Sequence, residues 1–139
     1  MNRKVSVAPM MDCTDRHERF FLRLISKSTL LYTEMIVDEA INRGNKKKLL
    51  EFNLNEKPVA LQLGGSSPNL LAEAAKIGED FGYDEINLNL GCPSKKVEKN
   101  KFGACLMKEP NLVADCLDKI QAKTKLPVTI KTRIGYDNV

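Results

Sequence analysis

The sequence predicts an α/β chain that forms the N-terminal half, about five βα strands, of a (β/α)₈ TIM barrel. Three observations lead there. Short alternating segments rich in apolar residues recur between segments of helical period, which signifies parallel βαβ units. The strand starts fall roughly 25–30 residues apart, about the length of one βα unit of a barrel. The turn after the first strand carries no G-x-G-x-x-G, the element an open doubly wound sheet would use for a dinucleotide.

Taken in order, Val5–Ala8 reads as a short strand stopped by Pro9. Thr14 or Asp12 then caps a helix over roughly 15–26, with Phe20, Phe21, Leu24 and Ile25 on one face. Asp15 and Glu18 suit the start of that helix as acids. Leu30–Met35 is the second strand, followed by a short polar helix ending near Gly44, and Lys46–Lys48 is expected to be a solvated turn. Pro58–Leu63 is the third strand. Ser67 as N-cap and Pro68 at the first helical position open a helix with a buried stripe of Leu70, Ala74, Ile77 and Phe81. Glu85–Leu90 is the fourth strand. Pro110 opens a helix whose apolar side carries Leu112, Val113, Cys116, Leu117 and Ile120, and Pro127–Arg133 is the fifth strand. The step between the last two strands is longer by about a dozen residues than one barrel unit, so an insertion running from Cys92 to Met107 is expected there. A whole barrel takes about 250 residues and eight strands. Residues 1–139 are therefore expected to form one partial barrel domain without its later strands.

At 42% hydrophobic and 29% charged residues, the composition is that of an ordinary globular protein. No apolar run reaches the length of a membrane span. The basic start Met1-Asn2-Arg3-Lys4-Val5 precedes an apolar stretch too short for a signal peptide, which meets Asp12. Cys13, Cys92, Cys105 and Cys116 lack metal-ligand spacing, and one histidine adds little, so no metal site is expected. They read as reduced thiols of a cytoplasmic protein. A net charge of +4 permits a nucleic-acid partner without requiring one.

Alternation places Ser6, Ala8 and Met10 on one face, with Ala60 and Gln62, then Glu85, Asn87 and Asn89, then Thr129, Lys131 and Arg133. That small or polar face ends in Met10, Gln62, Asn89 and Lys131, each near the C-terminal end of its strand, where barrel active sites sit. Amides on a buried face imply a polar cavity, because they cost free energy unless partnered. Cys92 follows directly, released from the strand by Gly91 and kept from continuing it by Pro93. A lysine and a glutamine suit the carbonyl and ring-nitrogen edge of a flavin, and Pro9-Met10-Met11 offers surface for a planar ring. No Ser-His-Asp arrangement or catalytic carboxylate pair is present.

Five segments carry a resemblance: Ala8-Pro9-Met10-Met11-Asp12-Cys13-Thr14-Asp15-Arg16-His17, Leu61-Gln62-Leu63-Gly64-Gly65, Asn87-Leu88-Asn89-Leu90-Gly91-Cys92-Pro93-Ser94, Phe102-Gly103-Ala104-Cys105-Leu106-Met107 and Lys131-Thr132-Arg133-Ile134-Gly135. Together, in this order, they resemble the tRNA-dihydrouridine synthases, nearest to the bacterial DusA branch that reduces D-loop uridines 20 and 20a. The resemblance implies an FMN-binding barrel followed by a helical tRNA-binding domain, which these residues do not include. It implies FMN as cofactor, NADPH as reductant, tRNA as substrate, and no obligate protein partner. By that likeness Pro9, Met10 and Met11 line the flavin, Gln62 and Lys131 bind its polar edge, Asn89 contacts the target nucleotide, and Cys92 donates a proton to C5 after hydride reaches C6. A thiol with a pKa near 8.5 stays largely protonated at neutral pH and can serve as that acid. Lys95 and Lys96, with Lys99 and Lys101, are open to two readings, solvated loop residues or phosphate contacts; Arg16, His17 and Arg133 are equally open. Cys13 and Cys105 are expected to pack, and Cys116 to lie in the core. Two alternatives remain, another FMN barrel reductase of a small substrate, such as a dihydroorotate-dehydrogenase-like enzyme, or a non-catalytic RNA-binding fragment.

Overall fold

The computed structural model describes residues 4–137, so the basic start Met1–Arg3 lies outside the described residues. Its strands are β1 (Leu31–Val37), β2 (Val59–Gly64), β3 (Glu85–Leu90) and β4 (Val128–Thr132), all parallel and paired in the order β1-β2-β3-β4. Strand order follows sequence order with no reversal, so the sheet has no topological switch point and is not doubly wound. The helices are α1 (Arg16–Ile25), α2 (Asp38–Arg43), α3 (Lys46–Leu50), α4 (Pro68–Phe81), α5 (Lys95–Lys99) and α6 (Pro110–Lys123). The expected first strand is reduced to a single parallel bridge between Ser6 and Leu30, with Val7 N donating to Leu30 O at 3.0 Å. Pro9 has no N–H to extend it, and the chain turns at once through Asp12, at φ 59°.

β2 and β3 are buried at every residue. Val59, Leu61, Leu63, Ile86, Leu88 and Leu90 form the apolar face and join one core with Ile41, Leu50, Leu71, Cys116 and Ile120 from the helices. The opposite face is polar and concave. Ser6, Ala8 and Pro9 at one margin and Thr129, Ile130 and Lys131 at the other line one cavity of about 330 Å³. Segments separated by three strands meet across that space only because the sheet curls, as consecutive units of a barrel do.

The apolar face of α1 points outward in the structure. Phe21, Leu24 and Ile25 are 60–71% exposed, and Phe20 is exposed as well, whereas Arg19 and Arg23 are buried. The cause is the loop before β2. Arg19 Nε meets the buried Glu56 carboxylate at 2.7 Å, and Arg23 donates to the carbonyls of Glu56 at 2.8 Å and Pro58 at 3.0 Å. Asp15, not Thr14 or Asp12, is the N-cap, accepting from the amides of His17 and Glu18. That bond to Glu18 N holds the Asp15 carboxyl below its usual range. Thr14 is fully buried and bonds Met10 instead.

Lys46–Lys48 is not a turn but the first part of α3, because Asn45 accepts from Lys48 N and Leu50 is buried. In α4 the buried stripe is Leu71, Ala72, Ala74, Ala75 and Gly78, while Leu70, Ile77 and Phe81 are only partly buried. Gly78 explains the rotation: a Cβ there would lie 2.6 Å from Leu61, so the smallest residues set the approach of helix to sheet. Ser67 makes no side-chain cap bond. The insertion after β3 folds as α5 and a 3₁₀ turn (Gly103–Lys108), and it returns Val97, Phe102 and Leu106 to the core.

Removing one partner of a buried ion pair leaves an uncompensated charge, which typically costs about 3–5 kcal/mol. Glu56→Ala is expected to lower unfolding free energy by that amount in urea titrations, and a loss below about 1 kcal/mol would show the pair to be no more than a surface contact.

Candidate active site at the strand ends

β3 delivers Cys92, and three elements pin the loop that carries it. Asn89, the last polar residue of the strand, turns its Oδ1 onto the amides of Gly91 at 3.2 Å and Cys92 at 3.0 Å. The 3₁₀ turn holds the other side, where Ala104 N donates to Cys92 O at 2.9 Å. Gly103 makes that approach possible: it sits at φ 75°, and a Cβ would lie 2.7 Å from Cys92 O and 2.5 Å from Val97. Beyond β4, Arg133 Nε donates to Gly91 O at 2.6 Å.

The concave face beneath is a continuous hydrogen-bonded set. Gln62 and Asn87 are register neighbours, as are Asn87 and Thr129, and Asn89 and Lys131. Gln62 Nε2 donates to Asn87 Oδ1 at 2.8 Å, and Asn89 Nδ2 donates to Gln62 Oε1 at 3.0 Å. Asn87 Nδ2 reaches Thr129 at 2.9 Å, and both Thr129 and Tyr32 hydroxyls donate to Glu85. The bulge in β1 adds Thr33, whose hydroxyl accepts from Gln62 N at 3.0 Å.

The sequence-derived site residues distribute over three adjoining spaces. Pro9 and Lys131 line the 330 Å³ cavity with Tyr32, Asn87 and Thr129. Met11, Cys92 and Lys96 line a cavity of about 510 Å³ with Asp38 and Phe102. Cys92 also lines a third, of about 370 Å³, with Cys105 and Arg133. Met10 is exposed, its amide and carbonyl both held by Thr14. Gln62 is buried in the amide set, and Lys95 stands exposed at the start of α5. Asn89 is buried beside Cys92.

Whether this face can take a planar flavin is decided by its donor set. Ala8, Pro9 and Ile130 supply apolar surface, while exposed Lys131 carries only hydrogen-bond donors and suits a ring edge of acceptors. Gln62 keeps one N–H and one lone pair after its bonds to Asn87 and Asn89. The residues present fit such a group. Among the described residues no cluster of three or more His, Cys, Asp or Glu is placed to hold a metal ion, and no helix is long and apolar enough to cross a membrane.

Five features of the site were not assigned a role from the sequence. Glu85 and Thr129 were placed on the polar face without a role, although a carboxylate inside a buried strand was a signal. Gly103 and the Arg133–Gly91 bond had none, because they depend on a loop closing back on Cys92. Asp38, the first residue of α2, is buried in the wall of the 510 Å³ cavity, and burial pushes its carboxyl pKa up. Burial also raises Cys105, which is only half-buried, and pushes Cys116 up to about 11 in the core where it was expected, whereas Cys13, expected to pack, is exposed.

The sequence model of one family, Dihydrouridine synthase (Dus), matches residues 6–139. A protein of Synechocystis named tRNA-dihydrouridine(20/20a) synthase is 60% identical over 134 residues, 96% of this chain and 40% of that one. Proteins of the same name from Xanthomonas campestris and Shigella flexneri are each 57% identical over 135 residues, 97% of this chain and 40% of theirs. The chain thus spans about 40% of the length of these curated relatives.

A side chain at Gly103 must either displace Cys92 or strain the backbone, at about 1–3 kcal/mol. Gly103→Ala is expected to lose that stability and to speed iodoacetamide labelling of Cys92. Cys116, with about a thousandth of its thiol ionised at pH 8, should stay unlabelled in both proteins. Unchanged stability and labelling would show that the turn does not hold the loop.

Proposed function

Because the chain belongs to the dihydrouridine synthase family, we propose that it carries the catalytic strand ends of an enzyme reducing uridine to 5,6-dihydrouridine in the D-loop of tRNA, at positions 20 and 20a. The observation that carries this reading is the setting of Cys92: a thiol at the C-terminal end of a central strand, pinned by Asn89, Ala104 and Arg133, opening on two cavities and flanked by Asn89 and Lys131. FMN, reduced by NADPH, would supply the hydride for C6 of the uracil ring. Pro9, Met10 and Met11 would hold it, with Lys131 and the remaining amide valences of Gln62 at its polar edge.

The chain's own share is positioning and the proton. Cys92 Sγ holds the proton destined for C5, and the three pins keep it within reach of one ring face. Asn89 orients the base. The target uridine must leave its stack to arrive there. Lys95 and Lys96 on α5 and Arg133 beyond β4 border the opening and would meet backbone phosphates, which position RNA without reading its sequence. Residues 1–139 are the FMN-binding part of the barrel in this proposal; the further length of the relatives would supply the later strands and a helical tRNA-binding domain. The enzyme would act in the cytoplasm without an obligate protein partner.

The test is a chimera in which residues 6–139 replace the matching segment of the Synechocystis relative, assayed by nucleoside mass spectrometry on unmodified tRNA. Dihydrouridine should form, and Cys92→Ala should reduce its rate by about a hundredfold or more, the contribution of a general acid. A folded chimera that makes none, or a Cys92→Ala variant of full activity, would refute the proposal.

A further inference from the structure

A side-chain amide can face either way, so its orientation must be set by something that cannot. The set beneath Cys92 has two such ends. At the upper end the amides of Gly91 and Cys92 can only donate, and they fix Asn89 Oδ1 as their acceptor. At the lower end Glu85, wholly buried, presents Oε1 as acceptor to the hydroxyls of Tyr32 and Thr129. Everything between has one consistent sense. Thr129, having donated to Glu85, accepts from Asn87 Nδ2. Asn87 Oδ1 therefore faces Gln62 Nε2, and Gln62 Oε1 faces Asn89 Nδ2.

We infer that Glu85 is a positioning residue: its carboxylate anchors, at the end opposite the Gly91 and Cys92 amides, a one-way hydrogen-bond chain that runs through Thr129, Asn87, Gln62 and Asn89 and ends on the backbone of Cys92. The inference rests on the reading of Cys92 as the reacting thiol. It has a chemical consequence for what the site can recognise. Asn89 Oδ1 spends both lone pairs on Gly91 and Cys92, and its Nδ2 spends one hydrogen on Gln62. A base meeting Asn89 therefore meets a single N–H donor. That selects a carbonyl edge, as in uracil, over the exocyclic amine of cytosine at the same place. With the chain reversed, Asn89 would turn its NH₂ toward the amides of Gly91 and Cys92, donor against donor, and the loop would lose its hold.

Thr129→Val removes the link to Glu85 at nearly constant volume, and Thr129→Ser keeps it. Amide hydrogen exchange is read residue by residue on the full chain. In Thr129→Val the amides of Cys92 and Gly91 should exchange at least threefold faster, with Leu88 in the β2–β3 ladder unchanged and Thr129→Ser at parental rates. Glu85→Leu should reproduce the effect more strongly. Equal rates at Cys92 in the Val and Ser variants would overturn the inference, and so would loss of protection throughout the sheet in Thr129→Val, which would make the chain a general stabiliser. Exchange requires no turnover. If the Cys92 amides respond as expected while Cys92→Ala leaves dihydrouridine formation intact in the chimera, the functional reading falls and the chain stands.

Discussion

A sheet buried on both sides cannot carry amides on one of them unless every amide finds a partner, since each orphaned group costs about 1–3 kcal/mol. That requirement governs this molecule. Gln62, Asn87 and Asn89 lie inside β2 and β3, where no residue is exposed, and they satisfy one another across the strands. The satisfaction works in one register only. A slip of β3 by one residue would carry its amides into the core and bring Ile86, Leu88 and Leu90 to the polar face. The bonds that build the site are therefore also those that specify how β2, β3 and β4 align.

Period-two patterning was the most legible feature of the sequence. Glu85–Leu90 has the same limits in the sequence reading and in the structure, and Gln62, Asn87 and Asn89 do share one hydrogen-bonded face. The insertion bearing Cys92 was also visible, as a step too long for one barrel unit. Helix faces were less legible because their partners are distant. Arg19 and Arg23 turn inward on account of Glu56, which lies 37 and 33 residues away, and no periodicity within α1 encodes that. In α4 the expected stripe contained Ala74, which is buried, but not Leu71, Ala72, Ala75 or Gly78, and the small residues among these are ones a search for large apolar residues passes over. The candidate site divides in the same way. Gln62, Asn87, Asn89 and Thr129 share the expected face, whereas Ile130 also lines its cavity, and contacts between loops, such as Gly103 against Cys92, have no sequence signature.

The loop contacts suit the role proposed for Cys92. An acid meant to protonate one carbon of a ring would have to be held within hydrogen-bond reach of it, and an error of about 1 Å can cost a hundredfold in rate. A loop after a strand is by default more mobile than the strand. Here Gly91 and Cys92 are held by bonds from β3, from the 3₁₀ turn and from the segment following β4. The thiol thus borrows the rigidity of the sheet while standing outside it.

The ordering of the site and its enclosure have different sources. The amide chain from Glu85 to Cys92 is closed among the described residues, so the positions of the polar groups need nothing further to define them. The surroundings are not closed in the same way. Ile130 and Ile134, at and beyond the outer strand, are 44% and 93% exposed, and α1 turns Phe21, Leu24 and Ile25 outward. These exposed side chains lie on separate elements, the outer strand and its end on the one hand and α1 on the other. Residues 4–137 thus fix the polar groups through the amide chain while leaving these apolar side chains exposed.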